Sequence, residues 1–218
     1  MPLRHPLRPE APRWRDMMMS KALILVDVQN EYFADGKLPL PDMDEALTHI
    51  EALLTCFRSS RLPIFHIQHF GLTEGGPFSL GSPGAELHDR VKPRLGMQPP
   101  EIVIPKYYTN GFRMTWLAAA LQGSGVTEVV VAGAMVQNCI DATVRAADDF
   151  GFKVTVASDA CAAAPVTLKD GQIIEAATAH DVVLAALSNV ADVRPTTEVI
   201  AQIEQERQYA ADHVPWGG

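Results

Sequence analysis

Cysteine is scarce in this chain. Only Cys56, Cys139 and Cys161 occur in 218 residues, and no two of them form a C-x-x-C pair. That excludes a disulfide framework and a cysteine-based zinc site, and it suits a reducing, cytoplasmic compartment. Long apolar runs are also missing. None approaches the roughly 18 residues that span a bilayer, so no membrane partner is expected. Basic residues are in deficit, 18 Lys and Arg against 26 Asp and Glu, and the net charge of −8 speaks against nucleic acid as a partner. Residues 1–20, MPLRHPLRPEAPRWRDMMMS, lack the apolar segment of a secretory signal. Pro2, Pro6, Pro9 and Pro12 also interrupt any amphipathic helix there, so this stretch reads as a loosely ordered extension. The remainder, 21–218, has the length of one domain.

What is present is an alternation of apolar strands with helix-period segments. Ala22 to Val26, ALILV, is a continuous apolar run of the kind a strand covered on both faces requires. Pro63 to Gln68, Glu101 to Ile104, Val129 to Val131, Lys153 to Ala157 and Val190 to Val193 read as further strands. Met43, Ala46, Leu47, Ile50, Leu53, Leu54 and Phe57 trace one helical face. Helices are also expected at Thr115 to Leu121, after Cys139, over Asp170 to Leu187, and from a Thr cap at Thr196 to Tyr209. The pattern predicts an α/β fold: a doubly wound, mainly parallel six-stranded sheet with helices on both faces. Gly71 to Pro100 is a long Gly- and Pro-rich loop, of the kind that covers or shapes a site.

Three chemistry-bearing residues follow three of these strands. Asp27 ends the first, where open α/β sheets place their sites, although an N-cap or turn aspartate fits the same position. Lys106 stands at another strand exit among Tyr107, Tyr108 and Phe112; a solvated surface lysine is its alternative. Cys139 sits at the start of a helix after Val129-Val130-Val131 and Ala132-Gly133-Ala134. Unpaired amides and the helix dipole there favour a thiolate and can hold an oxyanion. A small buried hydrophobe is the other reading of such a cysteine. Together the three residues suit attack of a thiol on a carbonyl or nitrile carbon. Asp27 would take the thiol proton, and Lys106 would hold Asp27 and stabilise the thiolate. A Cys–His pair using His66, His69, His88 or His180 is the rival arrangement. The spacing of His66 and His69 invites a metal, but no further ligands accompany them, so no metal or other cofactor is expected. Either histidine can instead line a pocket.

Taken in order, LILVDVQNEYF, IPKYYTNGF followed by T-W-L, and VVVAGAMVQNCIDATVRAADDFGFKVTVASDACA resemble the isochorismatase-like cysteine hydrolases, over about Lys21 to Ile200. The resemblance implies an Asp-Lys-Cys triad at Asp27, Lys106 and Cys139. It also implies a cis peptide at Ala134–Met135 that helps aim the Met135 and Cys139 amides at an oxyanion. Nicotinamidases of that family carry an Asp-x-His metal group that FHIQHFGLTEGG lacks, and Val136-Gln137 replaces a common Thr-His. The motifs look most like the streptothricin-hydrolase-like branch.

The function expected is a metal-independent amidohydrolase. It would cleave a C–N bond of a small amide, ureide or carbamoyl compound with water, through a thioester on Cys139. An isochorismatase-type vinyl-ether hydrolase and a non-catalytic scaffold on the same fold are the alternatives. Gln29, Tyr32, Phe33, Tyr107, Phe112, Trp116 and Gln137 are expected to wall the pocket, the aromatics against an acyl group and the glutamines against an amide or carboxylate. The aromatics can equally pack between helix and sheet. Relatives are commonly oligomers, so a homo-oligomer, dimer or tetramer, is implied.

Overall fold

The computed structural model describes residues 21–213; the extension read at 1–20 and the tail at 214–218 lie outside the described residues. Strands β1 (Lys21–Val26), β2 (Ile64–His69), β3 (Ile102–Lys106), β4 (Glu128–Ala134), β5 (Lys153–Ala162) and β8 (Asp192–Arg194) form one six-stranded sheet, ordered β3-β2-β1-β4-β5-β8. Every pairing in it is parallel. The chain builds outward from β1 in one direction, returns, and builds outward in the other. The order therefore reverses between β1 and β4, the position at which open α/β sheets leave a crevice.

Each face of the sheet has its own apolar layer, and the alternation within β1 sets both. Leu23 and Leu25 face α1 (Met43–Ser59) and α5 (Thr196–His213), joining Leu47, Ile50, Leu54, Phe57 and Ile203. Ala22, Ile24 and Val26 face the other layer, with α2 (Leu117–Gly123), α3 (Asp141–Asp149) and α4 (Ala176–Leu187). All six residues of β1 are buried, as a strand covered on both sides must be. The apolar face predicted for α1 is the face it buries.

Two local readings change. Asp170 does not open a helix: Asp170-Gly171 turns a small antiparallel hairpin of β6 (Val166–Thr167) and β7 (Ile173–Ile174), and α4 begins only at Ala176. Gly171 has φ +87°, a conformation that Asp-Gly turns exploit. The α5 start is not served by its own threonine either. Asp159, on β5, accepts both the backbone N–H of Thr196 (2.8 Å) and its hydroxyl (2.6 Å).

One glycine is fixed by the sheet itself. Gly133 has φ +127°, and a Cβ there would lie 2.0 Å from the Val26 carbonyl oxygen. Only a residue without a side chain lets β4 approach the end of β1 this closely.

Candidate active site

Four consecutive strands end side by side in the order β3, β2, β1, β4, and each delivers one side chain to the same place. Lys106 is the last residue of β3 and His69 the last of β2, paired with it in register. Asp27 follows β1, and Cys139 follows β4 by way of a wide turn. Lysine is long enough to reach across the end of β2. Its Nζ lies 2.7 Å from Asp27 Oδ2, 3.2 Å from Cys139 Sγ and 3.3 Å from His69 Nδ1. Asp27 and Lys106 are fully buried, and Cys139 is 5% exposed.

The backbone makes this convergence possible. Asp27 has φ +53°, a left-handed conformation that aspartate tolerates better than most residues and that turns the chain at the strand end. Both of its carboxylate oxygens are sealed from solvent, and apart from the Lys106 ion pair at Oδ2 neither has a hydrogen-bond partner among the described residues, which leaves Oδ1 open. A buried carboxylate oxygen left open in this way is placed to receive a proton. Cys139 belongs to a π-type turn, Val136–Ile140, which precedes α3 rather than lying within it. The Ile140 N–H bonds the Met135 carbonyl (3.1 Å), and the wide turn carries Val136, Cys139 and Ile140 inward. The Ala134–Met135 peptide is cis, at the bond the resemblance indicated.

The electrostatics reverse one expectation. The Cys139 thiol is pushed up from its ordinary value, first by burial and then by Asp27, and Lys106 offsets only part of this. The resting cysteine is therefore a thiol whose proton faces Asp27, not the thiolate that a helix start alone would favour. Burial opposes charge on Lys106 as well, but Asp27 and Cys139 outweigh it, and the ammonium is held above its usual range. His69 is pushed down by partial burial and by Lys106, against the smaller pull of Asp27, which keeps its imidazole neutral. Among the described residues no group of three or more His, Cys, Asp or Glu side chains is arranged to hold a metal ion.

The expected pocket walls divide. Gln29 is fully buried and spends its amide on backbone: Nε2 donates to the carbonyls of His69 (2.8 Å) and Ala85 (2.7 Å), and Oε1 accepts the His69 N–H (2.7 Å). Gln137 does likewise at the other side of the site, donating to the Ala164 carbonyl (2.9 Å) and accepting its N–H (3.4 Å). Both glutamines thus brace backbone around the site. Phe112 is also not a wall; it stacks on Phe150 and Phe152 (5.0 and 6.2 Å between ring centres) in the core layer of α3. Phe33 is half-buried against His88.

Tyr32 is buried against Phe78, close enough for burial, Asp27 and Cys139 to raise its hydroxyl pKa, so it backs the cluster. Tyr107 and Trp116 are half exposed, and Tyr107, immediately after Lys106, lies 6.2 Å from Phe70, immediately after His69. Of the expected wall aromatics, these two are the ones that stay half exposed.

Residues that follow β1 help to fasten the Gly71 to Pro100 loop, Gln29 and Glu31 from buried positions. Gln29 holds Ala85, and the buried Glu31 accepts the backbone N–H groups of Lys37 and Phe78. Phe78 in turn meets the His69 ring edge-on at 5.2 Å. His66, the other histidine of β2, points away from the cluster to Glu101 (3.1 Å), which also takes two bonds from Arg58 (2.8 and 2.9 Å). His69 was legible in the sequence as a pocket liner, a metal ligand or a partner of Cys139, with nothing to choose among them. The strand-end position that marks Asp27 and Lys106 marks it equally. A Cys–His pair does not form among the described residues: the side chains that meet the Cys139 thiol are Lys106 and Asp27, and His69 meets that same lysine. A shallow groove of about 540 Å³ between α1 and α5 contains Cys56 and no member of the cluster.

Comparison with known proteins bears on this geometry. Residues 21–188 match the isochorismatase domain. The isochorismatase-family protein YddQ of Bacillus subtilis (strain 168) is 39% identical over 83% of this chain and 98% of its own length. A streptothricin hydrolase of Streptomyces noursei is 35% identical over 64% of this chain and 49% of that protein. The crystal structure of an isochorismatase from Pseudomonas putida KT2440 superposes with a TM-score of 0.76 at 37% identity, covering 83% of this chain and 90% of that one.

Proposed function

This chain belongs to the isochorismatase family of hydrolases, and from that premise we propose that it is a cysteine amidohydrolase. Its substrate is a small amide, ureide or carbamoyl compound, and the C–N bond breaks through a thioester on Cys139. The observation that carries the reading is the open Oδ1 of Asp27 beside a thiol that is protonated at rest, with one ammonium touching both residues.

Each group then has a place in a balanced sequence. The Cys139 thiol gives its proton to Asp27 as sulfur bonds the carbonyl carbon, and the carbonyl π pair moves to oxygen. The amides of Met135 and Cys139 receive that oxyanion. As the carbonyl re-forms, the C–N bond breaks and the Asp27 proton passes to the departing nitrogen, leaving the thioester. Asp27 next takes a proton from water, whose oxygen attacks the thioester. The C–S bond breaks and the proton returns to sulfur. Lys106 keeps its charge throughout. It balances a carboxylate at rest and a thiolate when sulfur departs, so neither buried anion stands alone.

Tyr107 and Phe70, directly after Lys106 and His69, stand beside the cluster and favour a small substrate with a flat or apolar acyl group, and the half-exposed Trp116 is assigned to the same wall. The relative named as a streptothricin hydrolase supports C–N chemistry. A homo-oligomer, dimer or tetramer, is part of the same proposal; sedimentation would test it, and a fully active monomer would reject it.

The deciding experiment is a panel of small amides, ureides, carbamoyl compounds and isochorismate, assayed with the wild type and Cys139→Ala. Release of ammonia or an amine, lost in Cys139→Ala and accompanied by an acyl adduct on Cys139, is expected. Pyruvate released from isochorismate at an undiminished rate in Cys139→Ala would replace the reading with vinyl-ether hydrolysis.

A further inference from the structure

The ammonium of Lys106 has three protons and three acceptors: Asp27 Oδ2 at 2.7 Å, Cys139 Sγ at 3.2 Å and His69 Nδ1 at 3.3 Å. Two of these carry the chemistry proposed above. The third stands on β2, the strand over whose end the lysine must pass to reach Asp27. We propose that His69 is a positioning residue. As a neutral imidazole it takes the third Lys106 N–H at Nδ1, and so fixes the rotation of the ammonium that aims the other two protons at Asp27 and Cys139.

Several observations support this role. An imidazole that accepts at Nδ1 must carry its proton on Nε2, so the contact selects one tautomer. The ring is not free to swing, because Gln29 closes both backbone groups of His69 and Phe78 abuts the ring edge. Two of the three hydrogen bonds of the fully buried Gln29 side chain go to the His69 backbone, as expected if that residue must be held in place. The charged groups facing His69 are Lys106 on β3 and Asp27 after β1. Lys106 is the nearer in effect, so adding a proton to the ring sets two cations against each other. Protonated His69 has no lone pair at Nδ1, the contact is lost, and the lysine is released to turn. The neutral state persists to below the ordinary histidine value of 6.5, since burial and Lys106 both disfavour the charged form.

The inference rests on the Asp27–Lys106–Cys139 reading, and its test separates the two. Long-range ¹H–¹⁵N correlation of the wild-type histidines, with His69 identified through His69→Asn, needs no substrate. At pH 7 the His69 Nδ1 is expected to be unprotonated and Nε2 protonated, with titration below 6.5. An Nδ1–H tautomer would overturn the proposal whether or not a substrate is known. Where turnover is measured, His69→Leu removes the acceptor and is expected to lower kcat about tenfold or more, with KM nearly unchanged. His69→Asn places an amide oxygen near the Nδ1 position. It should restore most of kcat and abolish the acidic limb of the kcat/KM profile. A role in packing alone would leave that limb in place. Wild-type kcat and an unaltered profile in folded His69→Leu would reject the positioning role.

Discussion

Gln29 closes both backbone hydrogen-bonding groups of His69 with a single side-chain amide, donating at 2.8 Å and accepting at 2.7 Å. Its second N–H holds Ala85 in the loop that covers this edge of the sheet. One buried residue thus joins β1, β2 and the loop. Gln29→Leu would leave the His69 N–H and two carbonyls without that partner, and a destabilisation of about 2–3 kcal/mol is expected. Urea unfolding would measure it, and hydrogen exchange should show faster exchange around Ala85. Equal stability and unchanged exchange would mean the brace is dispensable.

The pair of Lys106 and Asp27 is fully buried, so removing one partner strands the other. Lys106→Met is expected to cost about 3–5 kcal/mol, and adding Asp27→Asn should recover part of the loss. Denaturation of the two single variants and the double variant closes the cycle. Additive losses would show that the two groups are not coupled.

Asp27 is among the groups that raise the Cys139 thiol, and Lys106 opposes it. Asp27→Asn should therefore make the thiol easier to ionise while abolishing turnover. Alkylation mapped by mass spectrometry across pH is expected to show slow labelling of wild-type Cys139 at pH 7. In Asp27→Asn the labelling curve should shift to lower pH. A shift in the opposite direction would mean that Lys106, and not burial with Asp27, governs the wild-type thiol.

Away from the site, Glu101 joins Arg58 to His66 beneath the sheet. Although burial works against the charge of Glu101, hydrogen bonds from His66 and Arg58 outweigh it and hold the carboxyl at about 2, against its ordinary 4.5. Because the folded value lies below the unfolded one, the stabilisation is complete above about pH 4.5 and is lost as pH falls toward 2. Glu101→Gln is expected to cost about 3 kcal/mol at pH 7, with the difference from wild type shrinking through that acidic window. A difference independent of pH would show that the carboxylate charge is not what stabilises the cluster.

Trp116 and Tyr107 are half exposed, unlike the buried Phe112, and Trp116 is proposed to meet the substrate. Trp116→Ala is expected to raise KM severalfold with little change in kcat or stability, whereas Phe112→Ala should mainly destabilise, by about 3–5 kcal/mol. Steady-state kinetics and thermal unfolding on both variants separate the two roles.

The sequence by itself determined the fold and three of the four strand-end residues. Buried parallel strands leave unbroken apolar runs such as ALILV and VVVA, and a polar residue just past such a run can only lie at the edge of the sheet. Asp27, Lys106 and Cys139 were placed by that local rule. The tertiary structure alone decided what surrounds them. A glutamine amide matches a substrate amide and a peptide group equally well. Gln29 meets His69 and Ala85, which lie 40 and 56 residues further along the chain, and no local pattern encodes that meeting. The same holds for Phe112, whose partners Phe150 and Phe152 lie in the turn between α3 and β5, and for His69, whose ring faces Lys106 only because β2 and β3 share a register. The protonation of Cys139 was likewise beyond the sequence. A helix start favours thiolate, but burial and a neighbouring carboxylate outweigh it, and both arise only when the four strands lie side by side.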